Sequence, residues 1–448
     1  MSILSPMWFS EADASALGRC LAQVADAGSD VVDLFLECKR EWELRSEEPG
    51  PGFVERFDDG FAVRLVRAGL TYLAARDGFE KGALEAALRD VARVSPAMPY
   101  RAPDLRPPPS AVDPAVDGQA VQRQLAEFLV RVRRIVRERH ASFEFRMRVA
   151  RHQRSIQLVG RRLVPGAESE TFFSLAVSTP WGRFGSLIPS LDDGAATDLA
   201  ERLVDRFHVR ARRPLSAFAG PLVLAPAATA VLLHEAVAHA LETDTLILSG
   251  RPEAAIGVSL GSALLDVIDS PGDLPVGLSR VTDDEGLPVL RRWLLQQGRV
   301  SQPLADRFCA GLSSRLLPGA ARRASRHLPP VPRSTHLGLV AGSSSRADLL
   351  AGGAGIYLAE ISRGRLDPLS GELEVEFPYG RRFRSGQLGD WVGGCVLRGK
   401  AAEILSAVEA VGSETEFAGA GWCAKAGQRL PVWATCSAIR LGGLEVAG

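Results

Sequence analysis

His234-Glu235-Ala236-Val237-Ala238-His239 stands out in this 448-residue chain as a stretch whose residue types and spacing could do chemistry. Two imidazoles on one helix can hold a zinc ion, while a carboxylate beside one of them takes the proton of a water on that ion. The common form of this arrangement spaces its histidines four apart, about 40° round an ideal helix and therefore on one face. Here they are five apart, about 140° round the same helix, and two such side chains converge on one ion only if the backbone widens. A π-type turn, closed by a hydrogen bond over five residues, restores a shared face, and such widenings concentrate at functional sites. The spacing therefore predicts a π-bulge or similar distortion between His234 and His239. Taken alone, the motif leaves a second reading open: a buried Ala/Val/Leu helix with two incidental histidines.

The segment that carries the motif, residues 225–244, is rich in Ala, Leu, Val and Glu with no Gly or Pro beyond Pro226, and reads as one helix. Upstream, residues 10–28 have helical periodicity and stop at Gly28. Residues 31–47 and 60–78 alternate apolar and polar positions, as half-buried antiparallel strands do, the second run turning at Gly69. Helical periodicity returns at 79–94. Seven prolines in 96–114 exclude a regular element there, and a helix is expected at 117–139 before one or two strands in 143–160. From about 220 onward short alternating runs separated by turn dipeptides read as a mostly antiparallel β region.

Composition narrows the function. The 53 Lys+Arg and 53 Asp+Glu cancel, which argues against a chain built around nucleic acid or an anionic membrane surface. The arginine-rich stretch 101–165 reads as a solvated face. Six scattered cysteines without a CxxC suit a reducing compartment, and neither a signal sequence nor an apolar run of membrane-spanning length is apparent. A cytoplasmic protein with no membrane or nucleic-acid partner is expected. His140, His152, His208 and His336 have no ligand spacing and read as structural, and Asp367 in Asp-Pro-Leu-Ser-Gly reads as a turn former.

The segment HEAVAHALETD resembles the HExxxH motif of the TldD/PmbA metallopeptidases, and residues 421–432, GWCAKAGQRLPV, resemble that family's GxCxKxGQxxPV segment. The blocks VTDDEGLP (281–288), ARRASRHLPPVPRSTH (321–336) and DPLSGE (367–372) are similar as well, in the same order. The resemblance implies one zinc per chain, with His234, His239 and Cys423 as ligands and Glu235 as the general base. Two imidazoles and a thiolate leave one tetrahedral position for water, as a catalytic rather than structural zinc requires. It also makes His327, in the His-Leu-Pro block, a candidate substrate contact or partner to a ligand, with a surface or structural histidine as the competing reading, and places the chain in the TldD-like, HExxxH-bearing branch. Ala238 and Thr243 depart from the family, which has Gly at both places.

The expected fold is α+β: an N-terminal domain (1–215) of antiparallel strands with flanking helices, and a mostly antiparallel β C-terminal domain (216–448) carrying the metal-binding helix. The expected activity is zinc-dependent hydrolysis of short or unfolded peptides, by a homodimer or by a heterodimer with a TldE/PmbA-like paralogue. The competing expectation is a non-hydrolytic, peptide-binding subunit of such a complex with a vestigial metal site.

Overall fold

The structure is a computed structural model that describes residues 18, 21, 31–46, 52–67, 70–93, 116–140, 143–160 and 166–448. Apart from Gly18 and Leu21, both helical, the helix expected over 10–28 lies outside the described residues, as does the proline segment 96–114.

Alternating apolar residues build a six-stranded sheet from β1 (Val31–Arg45), β2 (Gly52–Arg67), β3 (Leu70–Asp77), β4 (Arg146–Gly160), β5 (Gly166–Thr179) and β6 (Gly182–Ile188). Its order is β3-β2-β1-β4-β5-β6, antiparallel throughout. Three helices cover one face: α1 (Lys81–Ala92), α2 (Gly118–Arg139) and α3 (Asp193–Val209). The α2 stripe Val121, Leu125, Phe128, Leu129, Val132 and Val136 falls at helical spacing, and Asp117 caps its first turn by accepting from the Gln119 N–H at 2.9 Å.

The second face differs from the expectation of a solvated one. In β1, residues 32–38 are all buried. Val32, Leu34 and Leu36 meet the helices, while Asp33 and Glu37 are buried against the loops 279–288 and 320–327 of the second half. There Arg64 donates to Asp33 (2.9 Å) and Glu285 (2.7 Å), Arg154 donates to Glu37 (2.9 Å), and the Arg326 N–H donates to Glu37 (2.9 Å). The period-2 signal is genuine, but ion pairs rather than water satisfy its polar side.

The second sheet has eleven strands: β7 (Phe218–Leu224), β8 (Val267–Asp269), β9 (Arg292–Gln296), β10 (Arg299–Val300), β13 (His336–Leu339), β14 (Ala354–Leu358), β15 (Arg363–Leu366), β16 (Glu372–Arg384), β17 (Gln387–Lys400), β18 (Val408–Lys425) and β19 (Gln428–Ala447). β11 (Ala321–Arg322) and β12 (Val331–Pro332) form a separate pair. The larger sheet is mixed, because β13–β19 and β14–β7 run parallel. β7 also pairs with β19, so β19, β17, β16, β14 and β7 close on one another around the main core. Into that core runs α4 (Pro226–Leu233), apolar all round as a core helix must be.

The single helix expected over 225–244 is in fact four pieces. After α4 comes a π segment, His234–Ala238, in which the His239 N–H donates to the His234 carbonyl five residues back; this is the widening the histidine spacing requires. A 3-10 turn, His239–Leu241, follows. Glu242 is extended (ψ 120°), because its neighbours bond to Leu304 instead of to the helix, and α5 (Thr243–Ser249) then starts afresh. Among the described residues no helix is long and apolar enough to cross a membrane.

Candidate metal centre

The π turn directs both imidazoles to one side, with ring centroids 4.6 Å apart. Cys423 arrives from β18, in register with Leu430 of β19. The hairpin behind it turns at Ala426 (φ 49°) and Gly427 (φ 71°), two consecutive left-handed residues as a tight hairpin demands, and glycine takes the second without strain. Cys423 Sγ lies 3.1 Å from His239 Nε2, and the nearest donor atoms of His234, His239 and Cys423 all fall within 4.8 Å of one another.

Each ligand candidate is held from behind. Glu242 accepts from His239 Nδ1 at 2.9 Å, which leaves Nε2 for the cavity. Ser334 Oγ stands 3.3 Å from His234 Nδ1, while His234 Nε2 is buried with no hydrogen-bond partner. Arg333, fully buried, donates to the Cys423 carbonyl at 2.8 Å. Lys425 reaches both Glu242 (2.8 Å) and Asp244 (2.6 Å). Sequence reasoning left Glu242, Arg333, Ser334 and Lys425 without roles, although a carboxylate one helical turn after a ligating histidine is a readable signal.

The charges support the same picture. Burial works against ionisation of Cys423, but the imidazoles of His234 and His239 outweigh it and bring the thiol down to about 5. Burial would lower His239, yet Glu242 and Cys423 lift it to about 11. Glu242 is pushed up by burial and pulled down further by His239, Lys425 and Arg333, to about 2. A thiolate and a carboxylate thus flank a ring that holds one extra proton, an environment built to stabilise a cation. Donors on a tetrahedral zinc lie roughly 3.3–3.8 Å from one another. The spacing, the orphaned His234 nitrogen and the thiolate therefore fit one soft divalent ion.

Glu235, next in sequence, lines a cavity of about 610 Å³ together with His234, His239 and Cys423. Gly185–Leu187 of β6, residues 361–366 on and before β15, and Trp422–Lys425 form its other walls. Gly364 lies hard against Glu235: a Cβ there would fall 2.5 Å from Glu235 Cγ and 3.3 Å from its Oε1. Nothing in the local sequence marks that glycine, because the contact spans 129 positions.

His327 is not brought to this cavity. It is half-exposed, with Nε2 3.2 Å from Asp77 Oδ1, because the buried Arg326 before it anchors the segment to β1–β3 and turns the next side chain outward. Ala238 is wholly buried in the core behind the π turn, and Thr243 is buried and donates to the Leu304 carbonyl at 2.9 Å. Neither departure from the family pattern lines the cavity. Asp367 forms the expected turn, accepting from the Leu369 N–H at 3.0 Å.

Residues 219–448 match the sequence model of the PmbA/TldA metallopeptidase C-terminal domain. A Haemophilus influenzae protein named metalloprotease TldD homolog is 31% identical over 236 residues, 51% of this chain and 48% of that one. A protein of the same name from Buchnera aphidicola is 29% identical over 235 residues, with the same coverage. The alignments thus span about half the length of these relatives. In fold, the chain superposes on the crystal structure of TldE from Thermococcus kodakarensis with a TM-score of 0.74, at 17% identity, covering 97% of this chain and all of that one.

Proposed function

The chain belongs to the PmbA/TldD metallopeptidase family, and from that premise we propose that it is a zinc-dependent peptide hydrolase acting on short or unfolded peptides. One observation carries the reading: His234, His239 and Cys423 gather their donor atoms within 4.8 Å of one another beside a free-standing carboxylate in a cavity of about 610 Å³. We take His234, His239 and Cys423 as the ligands and Glu235 as the base.

When bound, a zinc ion supplies Lewis acidity, acidifying a water and polarising the scissile carbonyl. Glu235 would accept the proton of an attacking water on its carboxylate and pass it to the leaving amine. Glu242 accepts from His239 Nδ1 and so fixes the ring with Nε2 toward the cavity, where it would be a ligand. Among the described residues β15 pairs only with β16, and its residues Arg363–Leu366 line the cavity. An extended peptide added to a strand edge is bound through its main chain, which tolerates many sequences. A homodimer or a heterodimer with a TldE/PmbA-like paralogue is the assembly we expect.

Glu235→Ala tests this. The variant is expected to keep its metal, measured by elemental mass spectrometry, and to lose at least about a thousandfold in cleavage of an unstructured peptide, more than proton transfer alone contributes at its low end. Parent-like cleavage by the metal-loaded variant would remove Glu235 from the reaction.

A further inference from the structure

Behind the hairpin that carries Cys423 lies a second cavity of about 260 Å³, between β18–β19 and the N-terminal sheet. That volume admits one large side chain and falls below the usual range for a small-molecule pocket. Its walls combine aromatic rings, Phe57, Phe172, Trp422 and His152, with charged side chains of β1, β2 and β4. His152 stacks on Phe172 at 4.8 Å, and Trp422 meets both edge-on at 5.6 and 5.7 Å, so the far wall is rigid. Phe57, at the mouth, is 47% exposed.

Three of the charged groups around this cavity, Lys39, Arg56 and Asp58, are paired within the protein. Lys39 binds Glu37 and the Ala324 carbonyl, Arg56 binds Glu41, and Asp58 binds Arg326. A ligand would meet apolar surface together with polar atoms that include the buried Gln153 Oε1 and Arg40 Nε. The two cavities are continuous in their lining, since Trp422 and Arg429 belong to both, and Arg429 lies over the Trp422 ring at 5.0 Å. In an extended strand neighbouring side chains point to opposite faces. Cys423 thus turns to the metal cavity while Trp422 packs toward the N-terminal sheet.

We infer that the second cavity is a specificity subsite that receives one aromatic or large aliphatic side chain of the peptide whose backbone crosses the metal cavity. The inference rests on the proposed peptide hydrolysis. It names the substrate class within it: unstructured peptides with an apolar residue at one fixed distance from the cut bond.

The test is a set of Gly/Ala-rich peptides identical except for a single Phe moved along the chain. Phe at one position is expected to raise kcat/KM roughly ten- to a hundredfold over the all-Ala/Gly peptide, the scale of burying one aromatic side chain. Phe57→Ala, a change at an exposed residue, should bring that ratio close to one; a ratio within one preparation is insensitive to the fraction folded. The same pair of peptides is titrated calorimetrically into the Glu235→Ala protein, with and without Phe57→Ala. No positional preference in the parent, or a preference that survives Phe57→Ala, overturns the subsite. Binding preference that disappears with Phe57→Ala while no peptide is ever cut upholds the subsite and overturns hydrolysis. Cleavage without preference does the reverse.

Discussion

Two regions of this molecule bury charge, and they do so to opposite ends. Between the halves of the chain, Asp33, Glu37, Asp284 and Glu285 meet Arg64, Arg154, Arg323 and Arg326 in a network in which every charge has an opposite charge beside it. Around Cys423 the buried groups face about 610 Å³ of open cavity, and one ring nitrogen, His234 Nε2, has no protein partner. Buried polarity alone therefore does not mark a site. Two imidazoles and a thiol with donor atoms within 4.8 Å of one another in the wall of a large cavity do.

The sharpest separation should be chemical. In metal-free protein Cys423, lowered from 9.0 to about 5, is a thiolate at neutral pH, whereas burial holds Cys38 at about 11 and Cys309, Cys395 and Cys436 at about 12. Alkylation of Cys423 should rise with pH through about 5 and be flat by pH 7, at a rate orders of magnitude above the other described cysteines, and a bound ion should block it. Peptide mapping after a pH series reads this out. A midpoint near 9 would mean that the two imidazoles do not face the sulfur. By linkage, Cys423 stabilises the metal-free fold fully above its unfolded value of 9.0, and that contribution is lost as pH falls through about 5. The raised His239 contributes fully below 6.5 and loses its share as pH climbs through about 11.

Next in size, Arg64→Ala strips the ion-pair network of a guanidinium that serves Asp33 and Glu285. Leaving such charges buried and unpaired should cost about 3–5 kcal/mol in denaturant unfolding, with metal content unchanged. Lost metal at full stability would blur the two regions into one. Glu242→Gln removes the charge behind His239 and should weaken metal binding by about 10- to 100-fold in competition with a chelator, with folding intact. The smallest effect is kinetic. Gly364→Ala should push Glu235 aside and lower kcat by roughly tenfold, consistent with a misplaced proton acceptor, while metal affinity stays the same. Unchanged kcat would show that Glu235 can yield to the added methyl and still work.

Much of this was legible from local pattern. The alternation in 31–47 and 60–78 marks β1, the second half of β2 and β3, the helical stripe in α2 is unbroken, and the five-residue histidine spacing carries its own demand for a π turn. What was hidden depends on distant chain. The burial of Asp33 and Glu37 is set by loops some 250 to 290 residues away, the break at Glu242 by Leu304, and the pressure on Glu235 by Gly364. Strands of two to five residues, such as β8 to β13, have too little periodicity to declare themselves. His327 lies at the surface and away from the metal cavity, because the neighbouring Arg326 takes the buried place.

The central claim is that one ion sits among His234, His239 and Cys423, and a crystal of the zinc-loaded protein measured on both sides of the zinc absorption edge tests it most directly. One anomalous peak per chain is expected, about 2.0–2.1 Å from His234 Nε2 and His239 Nε2 and about 2.3 Å from Cys423 Sγ, with Glu235 unligated. A peak elsewhere, or a peak that leaves Cys423 or either histidine beyond bonding distance, would contradict it.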